Sequence, residues 1–521
     1  MGMVGGRQIA LNVLAPPSLT EVQAQPTYII SEDDKARMKA IEAAWKAYDG
    51  DFEPHLEKTP EGIDPNVVIN QISPIVDTGV DFLFGQEIEI SVEKGAPQAA
   101  QDFLNDAWGE KEVRIPLLQD LAMNGAMART AFLRIVPSSD KPGKQKTYRL
   151  VAVDPSTVCV QTAPQDCETV LLYCIQYSAK ERVNGRDVIV YYREEITRID
   201  PDGNAARGMA DDDDTWQIQH WSQETQHGME PKNTNWTPAG EPIVWPYPFP
   251  PLFHCKNLPR PNDFWGRADV RKDLIGMNEA LNIGQSCIML DQIIYGNPIL
   301  YANGMGDGSI ERRSGRIIQL PLVESKITAV AIPSDIPNAL AFAADLRSSV
   351  DEASGVPGVA TGRIKDMPRG NLSGIAIELL FMRLIKLTDK KRCTYGRLLI
   401  DVSKALLTLA GFSGDIGITL AWQSPVPHDD LPAVQAAIAK RELDISNTTL
   451  QRELGYDPEE EQQLSQSEDE LRLARAQALM EQQGGLPQAL PGVKPLPGQT
   501  PAKPPVAPVA QPGQPASGGQ K

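Results

Sequence analysis

At 521 residues, 41% hydrophobic and 23% charged, the chain has the balance of globular protein and exceeds the size one hydrophobic core usually reaches. No run of roughly 18 uninterrupted apolar residues occurs, the first residues carry neither a basic cluster nor a long apolar stretch, and Gly6 stands where myristoylation needs Ser or Thr, so no membrane span, export signal or lipid anchor is expected. The net charge of −18 argues against a protein that grips nucleic acid, and leaves an acidic enzyme or a conduit past which DNA slides.

Residues 1–30 read as an extended arm, because Pro16, Pro17 and Pro26 oppose helix. Ser31 followed by Glu32, Asp33 and Asp34 predicts a capped helix through Ile41 and Trp45 that stops near Asp49-Gly50. A second helix is predicted over 67–84, with Pro74 as the place for a kink and Gly85 as its end. Alternation over 86–92 predicts a half-buried strand, and helices fit 97–108 and 112–128. Between 130 and 253 the runs AFLRIV, YRLVAV, TVLLYCIQY and DVIVYY read as strands, parted by turn signals at Asn184-Gly185 and Asp202-Gly203. The four acids at 211–214 read as a solvated loop and not a metal site.

Helix returns after the loop NLPRPNDFWG. No proline interrupts 267–295, a stretch on the order of 40 Å long as helix, and Pro298 closes it. A Gly-rich β-like piece at 299–332 precedes a shorter helix over 337–354. The loop GVPGVATGRIKDMPRGNLSG then leads into a very long helix over 375–409, for which Ser373 is the natural cap. GITLAW reads as a strand, and 431–481 as helix broken near Tyr456-Asp457-Pro458. The last 37 residues hold ten prolines and almost no large apolar side chains, so disorder is expected there.

Motifs for chemistry are missing. No G-x-x-x-x-G-K-[ST] cradle exists, Gln145 following Lys144 where Ser or Thr would be required, and G-x-S-x-G and H-E-x-x-H are absent. The six cysteines show no C-x-x-C spacing, and His254-Cys255 is the only adjacent His–Cys pair. Reduced, buried, structural thiols, no cofactor and no metal are the expectation. Charge is more informative: 363–397 holds nine basic residues against three acids inside an acidic protein. Arg383, Lys386, Lys390 and Arg397 follow steps of three, four and seven, which places them along one helix face. Over 267–295, Asn278, Asn282, Gln285 and Gln292 recur at four, three and seven. They form an uncharged amide stripe set against Leu274, Met277, Leu281, Gly284 and Ile288.

The order of these parts resembles the portal proteins of tailed double-stranded DNA bacteriophages, over roughly residues 30–480. AAWKAYDGD with INQISPIVDTGVDFLFGQEIEI is similar to that family's N-terminal helix pair leading into a strand. LPRPNDFWGRADVRKDLIGMNEALN resembles its loop and first stem helix. SGVPGVATGRIKDMPRGNLSGIAIELLFMRLIKLTDKK resembles the end of the second stem helix, the tunnel loop and the start of the long wing helix. DISNTTLQRELGYDPEEEQQLSQSEDE is similar to the C-terminal helical text.

The resemblance implies an α+β portal-protein fold with long stem and wing helices, a β-containing wing, a small clip insertion and a helical crown. Carried onto this sequence, that gives an arm at 1–30, a wing at 30–264, stem helix 1 at 265–296, a clip at 297–336 and stem helix 2 at 337–355. The tunnel loop and long wing helix with its strand occupy 356–426, the crown 427–484 and the Pro-rich tail 485–521. The resemblance further implies a ring, commonly of twelve copies, at one capsid vertex of the virion, assembled in the host cytoplasm. Its partners would be double-stranded DNA, the terminase large subunit, head-completion or adaptor proteins, and the major capsid and scaffolding proteins, with no membrane and no enzymatic activity. Within it, Arg363, Lys365 and Arg369 of the tunnel loop (358–372) would meet DNA phosphates. The amide stripe Asn278, Asn282, Gln285 and Gln292 would line the channel, and Arg383, Lys386, Lys390 and Arg397 would offer a basic face. Other readings of the residues are a minor capsid or head-completion protein, or a cytoplasmic enzyme without a recognisable motif.

Overall fold

The computed structural model describes residues 26–59, 62–137, 147–183, 186–206, 208, 211, 213–225, 231, 235–296, 300–303, 326–329, 336–363, 374–412, 416–425 and a few positions between 440 and 466. The chain divides into two units, 1–428 and 429–521, and every element named below belongs to the first. The predicted helical region over 431–481 and the Pro-rich tail lie almost wholly outside the described residues.

The fold mixes helix and sheet. Helix α1 (Glu32–Asp49) starts as its sequence dictates: the Ser31 hydroxyl accepts the Asp34 N–H at 3.1 Å, while the Asp34 carboxylate accepts the Ser31 N–H at 3.0 Å. Gly50 ends it in the left-handed region, at φ 75°. Helix α2 (Ile72–Phe84) is shorter than predicted. Residues 67–71 precede the helix, and Asn70 caps it by accepting the Ile72 N–H at 2.9 Å. Pro74 thereby falls in the first turn, where its missing N–H breaks no helical bond.

Strand β1 (Ile88–Val92) leads to α3 (Gln98–Trp108) and α4 (Lys111–Ala128), then to β2 (Thr130–Pro137) and β3 (Tyr148–Val153). From residue 158 on, the predicted β region is a six-stranded antiparallel sheet built from β4 (Val158–Ala163), β5 (Asp166–Val183), β6 (Arg186–Ile199), β7 (Thr215–Thr225), β8 (Thr237–Pro238) and β9 (Ile243–Trp245). Its order is β4-β5-β6-β7-β8, and β9 also pairs with β7. Val183 pairs with Arg186, which makes β5 and β6 an antiparallel hairpin; the predicted turn residues Asn184 and Gly185 lie outside the described residues. The acid run behaves differently from the prediction at its last member. Asp214 is buried in an ion pair, its carboxylate 3.1 Å from Arg198 Nε, because a buried guanidinium needs an anion. The expected arm also ends earlier: Thr27 and Tyr28 donate their N–H groups to the Glu195 carboxylate, each at 2.9 Å, which ties residues 26–30 to β6.

Strand β10 (Leu252–Lys256) joins β2 and β3 in a second sheet, ordered β10-β2-β3. Helix α5 (Lys272–Gly296) follows. Then come a strand pair, β11 (Leu300–Asn303) with β12 (Lys326–Ala329), helix α6 (Ile336–Ser354), the 36-residue helix α7 (Gly374–Leu409), and β13 (Ile418–Trp422), which pairs with β1. The main core gathers α1 to α4, α7 and the β10-β2-β3 sheet around Trp108, Leu121 and Leu399. Gly125 lets α4 meet α7 closely, since a Cβ there would strike the Tyr395 hydroxyl. A second core packs Tyr173, Ile196 and Trp216 of the large sheet on Phe132 and Phe264.

Candidate functional site

A third, smaller core brings the expected functional segments together. Ile75 of α2, Leu274 of α5, Val350 of α6, Val356 just beyond α6 and Leu384 of α7 bury one another, so the two expected stem helices, the start of the loop and the long helix converge. Among the described residues no helix is long and apolar enough to cross a membrane.

The amide stripe of α5 is not a free face. Asn278 and Asn282 are 0% and 2% exposed, and with Ser286 they bind the backbone of the segment 67–71. Asn278 Oδ1 accepts the Gln71 N–H, Asn282 Oδ1 the Ile69 N–H and Ser286 Oγ the Val67 N–H, each at 2.9 Å. Asn278 Nδ2 also donates to Ile69 O at 3.1 Å. Two steps along a strand (about 6.8 Å) nearly equal four residues of helix (about 6 Å), so a helical i, i+4, i+8 row can serve alternate strand residues. This corrects the expectation that Asn278 and Asn282 line a channel. The stripe was set opposite Leu274, yet four residues advance only about 40° around a helix, so Asn278 sits on the same buried face as Leu274. Gln285 is half-buried and Gln292 exposed. Ser286 extends the row by one more step of four and was missed.

Beyond α6, residues 355–363 form a compact turn. Arg363 is ion-paired with Asp351 of α6, and its N–H donates to Gly358 O at 2.9 Å. Lys365 and Arg369 lie outside the described residues. On α7 the four predicted cations Arg383, Lys386, Lys390 and Arg397 are all exposed. Arg397 stands 3.8 Å from Asp401 and Lys386 3.9 Å from Asp389, both fully solvated pairings worth little. Two further cations of the same run are structural. Lys391 is buried in an ion pair with Asp269, and Arg392 lies 5.1 Å over the Trp422 ring while donating to Gln423 O at 2.7 Å.

Among the described residues no group of three His, Cys, Asp or Glu side chains could hold a metal ion. Cys159, Cys174 and Cys255 are buried, and burial pushes the Cys159 thiol up to about 12, which leaves it protonated and inert. Cys287 and Cys393 are exposed, against the expectation of uniformly buried thiols. His254 stacks on Phe264 with ring centres 4.1 Å apart, and burial lowers its pKa to about 4, so it is a neutral core residue.

The family model described as phage portal protein, SPP1 Gp6-like, matches residues 28–472. Among solved structures, a chain in the virion of a native gene transfer agent particle aligns at 15% identity and TM-score 0.39, covering 74% of this chain and 90% of that one. A chain in the neck of an empty particle, computed with C6 symmetry, aligns at 14% identity and TM-score 0.40 over 82% and 94%. No curated protein matches.

Proposed function

The chain belongs to the phage portal protein family, SPP1 Gp6-like, and from that membership we propose that copies of it close into a ring at one capsid vertex, through which the genome is packed and ejected. The family match, which spans most of the chain, carries this reading. In it, α5 and α6 are the stem, the β11–β12 pair belongs to the clip, the body of α1 to α4 with the sheets and α7 is the wing, and 427–484 is the crown. A ring has head-to-tail contacts, so one surface must be covered by a different surface of the neighbour. The stem offers such a surface: Leu340 and Phe342 of α6 are 51% and 59% exposed, and Ile283 and Met289 of α5 are also exposed.

The protein acts passively in this reading. Lys365 and Arg369 of the loop 358–372 face the DNA, and the exposed row Arg383, Lys386, Lys390 and Arg397 offers a weaker basic face. Each such contact is weak at physiological salt, where charges are screened within about 8 Å, and weakness suits a conduit that must not stall its cargo. ATP hydrolysis falls to the terminase large subunit that docks during packaging. Head-completion or adaptor proteins dock later, and the major capsid and scaffolding proteins are partners of the ring at its vertex. Sedimentation and negative-stain imaging of the purified chain test this. A closed ring with a central channel is expected, near 0.68 MDa (about twelve copies of 57.0 kDa). A monodisperse monomer at micromolar concentration in moderate salt would overturn it.

A further inference from the structure

We propose that Arg363 is a positioning residue: paired with Asp351 of α6, it pins the foot of the segment that leaves the stem, and it is not itself a phosphate contact.

Asp351 sits in the last turn of α6 and acts twice. Its carbonyl accepts the Gly355 N–H at 2.9 Å as the helix ends, with Gly355 at φ 80°, and its carboxylate holds the Arg363 guanidinium. Both side chains are mostly covered, at 18% and 25% exposure, so the pair is not a solvated surface bridge. The turn between them is built around the arginine. Ala360 donates to Pro357 O at 2.9 Å, Gly362 to Val359 O at 3.2 Å and Arg363 to Gly358 O at 2.9 Å, and the Thr361 hydroxyl donates to Gly358 O at 3.0 Å. Gly358 is buried directly beneath the guanidinium: a Cβ there would stand 2.6 Å from Nε. Glycine at this position therefore makes room for the ion pair.

The turn is also anchored to the rest of the stem junction. Val356 is 2% exposed among Ile75, Leu274, Val350 and Leu384, and the Thr78 hydroxyl of α2 lies 3.5 Å from Ala360 O. To reach a phosphate, Arg363 would have to leave a mostly buried carboxylate and uncover that charge, an exchange costlier than the solvated contact it would gain. The chain beyond 363 thus departs from a point fixed to α6. The pin stands on geometry alone, while its consequence for DNA rests on the conduit reading above.

The test compares Asp351→Asn, Arg363→Gln and the charge swap Asp351→Arg with Arg363→Asp in the full-length protein. Hydrogen exchange is followed in peptides covering 355–363, with amides of α1 to α4 as the control for folding. Both single variants are expected to speed exchange at Ala360, Gly362 and Arg363 by about tenfold, and the swap to slow it again. In assembled particles, Asp351→Asn should lower retained DNA as much as Arg363→Gln does. Unchanged exchange in Asp351→Asn overturns the pin, and no failure of folding can mimic that result. Normal DNA retention in Asp351→Asn beside a loss in Arg363→Gln overturns it too, because Arg363 would then be touching phosphate. Altered exchange with normal DNA in every variant supports the pin and counts against the conduit reading instead.

Discussion

Helices α4 and α6 are nearly equal in length, 18 and 19 residues, yet they differ in what they bury. Helix α4 has seven buried residues, from Leu118 to Ala128, all satisfied by neighbours in the same chain. Helix α6 buries Ala343 and Val350 and leaves Leu340 and Phe342 in water. Helix α4 leaves only Val113 of its large apolar side chains exposed, at its first turn. Helix α6 packs on α2, α5, the 355–363 turn and α7 through Val350, and under the proposed ring its remaining apolar surface is left for a second copy. Local stability in this protein should follow that division.

The largest expected effect lies in the body. Leu121→Ala, at a fully buried site, should cost about 2–5 kcal/mol in chemical denaturation of the dissociated chain. Phe342→Ser should change that same stability by less than about 0.5 kcal/mol and yet lower the yield of ring by sedimentation. Equal destabilisation by the two substitutions would break the comparison.

A pH effect of similar size belongs to His254. Its folded-state pKa, about 4, lies below the ordinary 6.5, so the unfolded chain binds more protons between those values and stability rises with pH there. The contribution is fully present above 6.5 and is lost as pH falls toward 4, on the order of 3 kcal/mol in all. Thermal midpoints across that window should fall less steeply in His254→Phe than in the parent, and identical slopes would refute the assignment. A further substitution sharpens the border between the two regions. Asn282→Ala removes the acceptor of the buried Ile69 N–H and should cost about 1–3 kcal/mol, with faster hydrogen exchange at 67–71 and unchanged exchange in α3 and α4.

Much of the backbone order was legible. Ser31 and Asp34 specify the start of α1 by a local exchange of hydrogen bonds, and the β5–β6 hairpin, whose Val183 pairs with Arg186, falls where the turn signal stands, because both signals act within four residues. The segment 67–71 was misread for the opposite reason. Its partners Asn278, Asn282 and Ser286 lie some 210 residues away, and no local rule distinguishes an amide that faces water from one that binds a distant strand. The same holds for Arg363, whose charge was visible and whose carboxylate partner was not.

By itself the sequence determined the mixed class, the positions of the long helices, the hairpin of the large sheet and the exposed row Arg383, Lys386, Lys390 and Arg397. Each of these follows from periodicity, capping or turn chemistry, which operate over a few residues. Only the tertiary structure decided which polar groups are spent inside the chain. Asn278, Asn282, Lys391, Asp214 and Arg363 all read as surface chemistry, and all are paired within the fold. A buried polar group must find its partner wherever the chain brings one, and that meeting is set by packing over hundreds of residues.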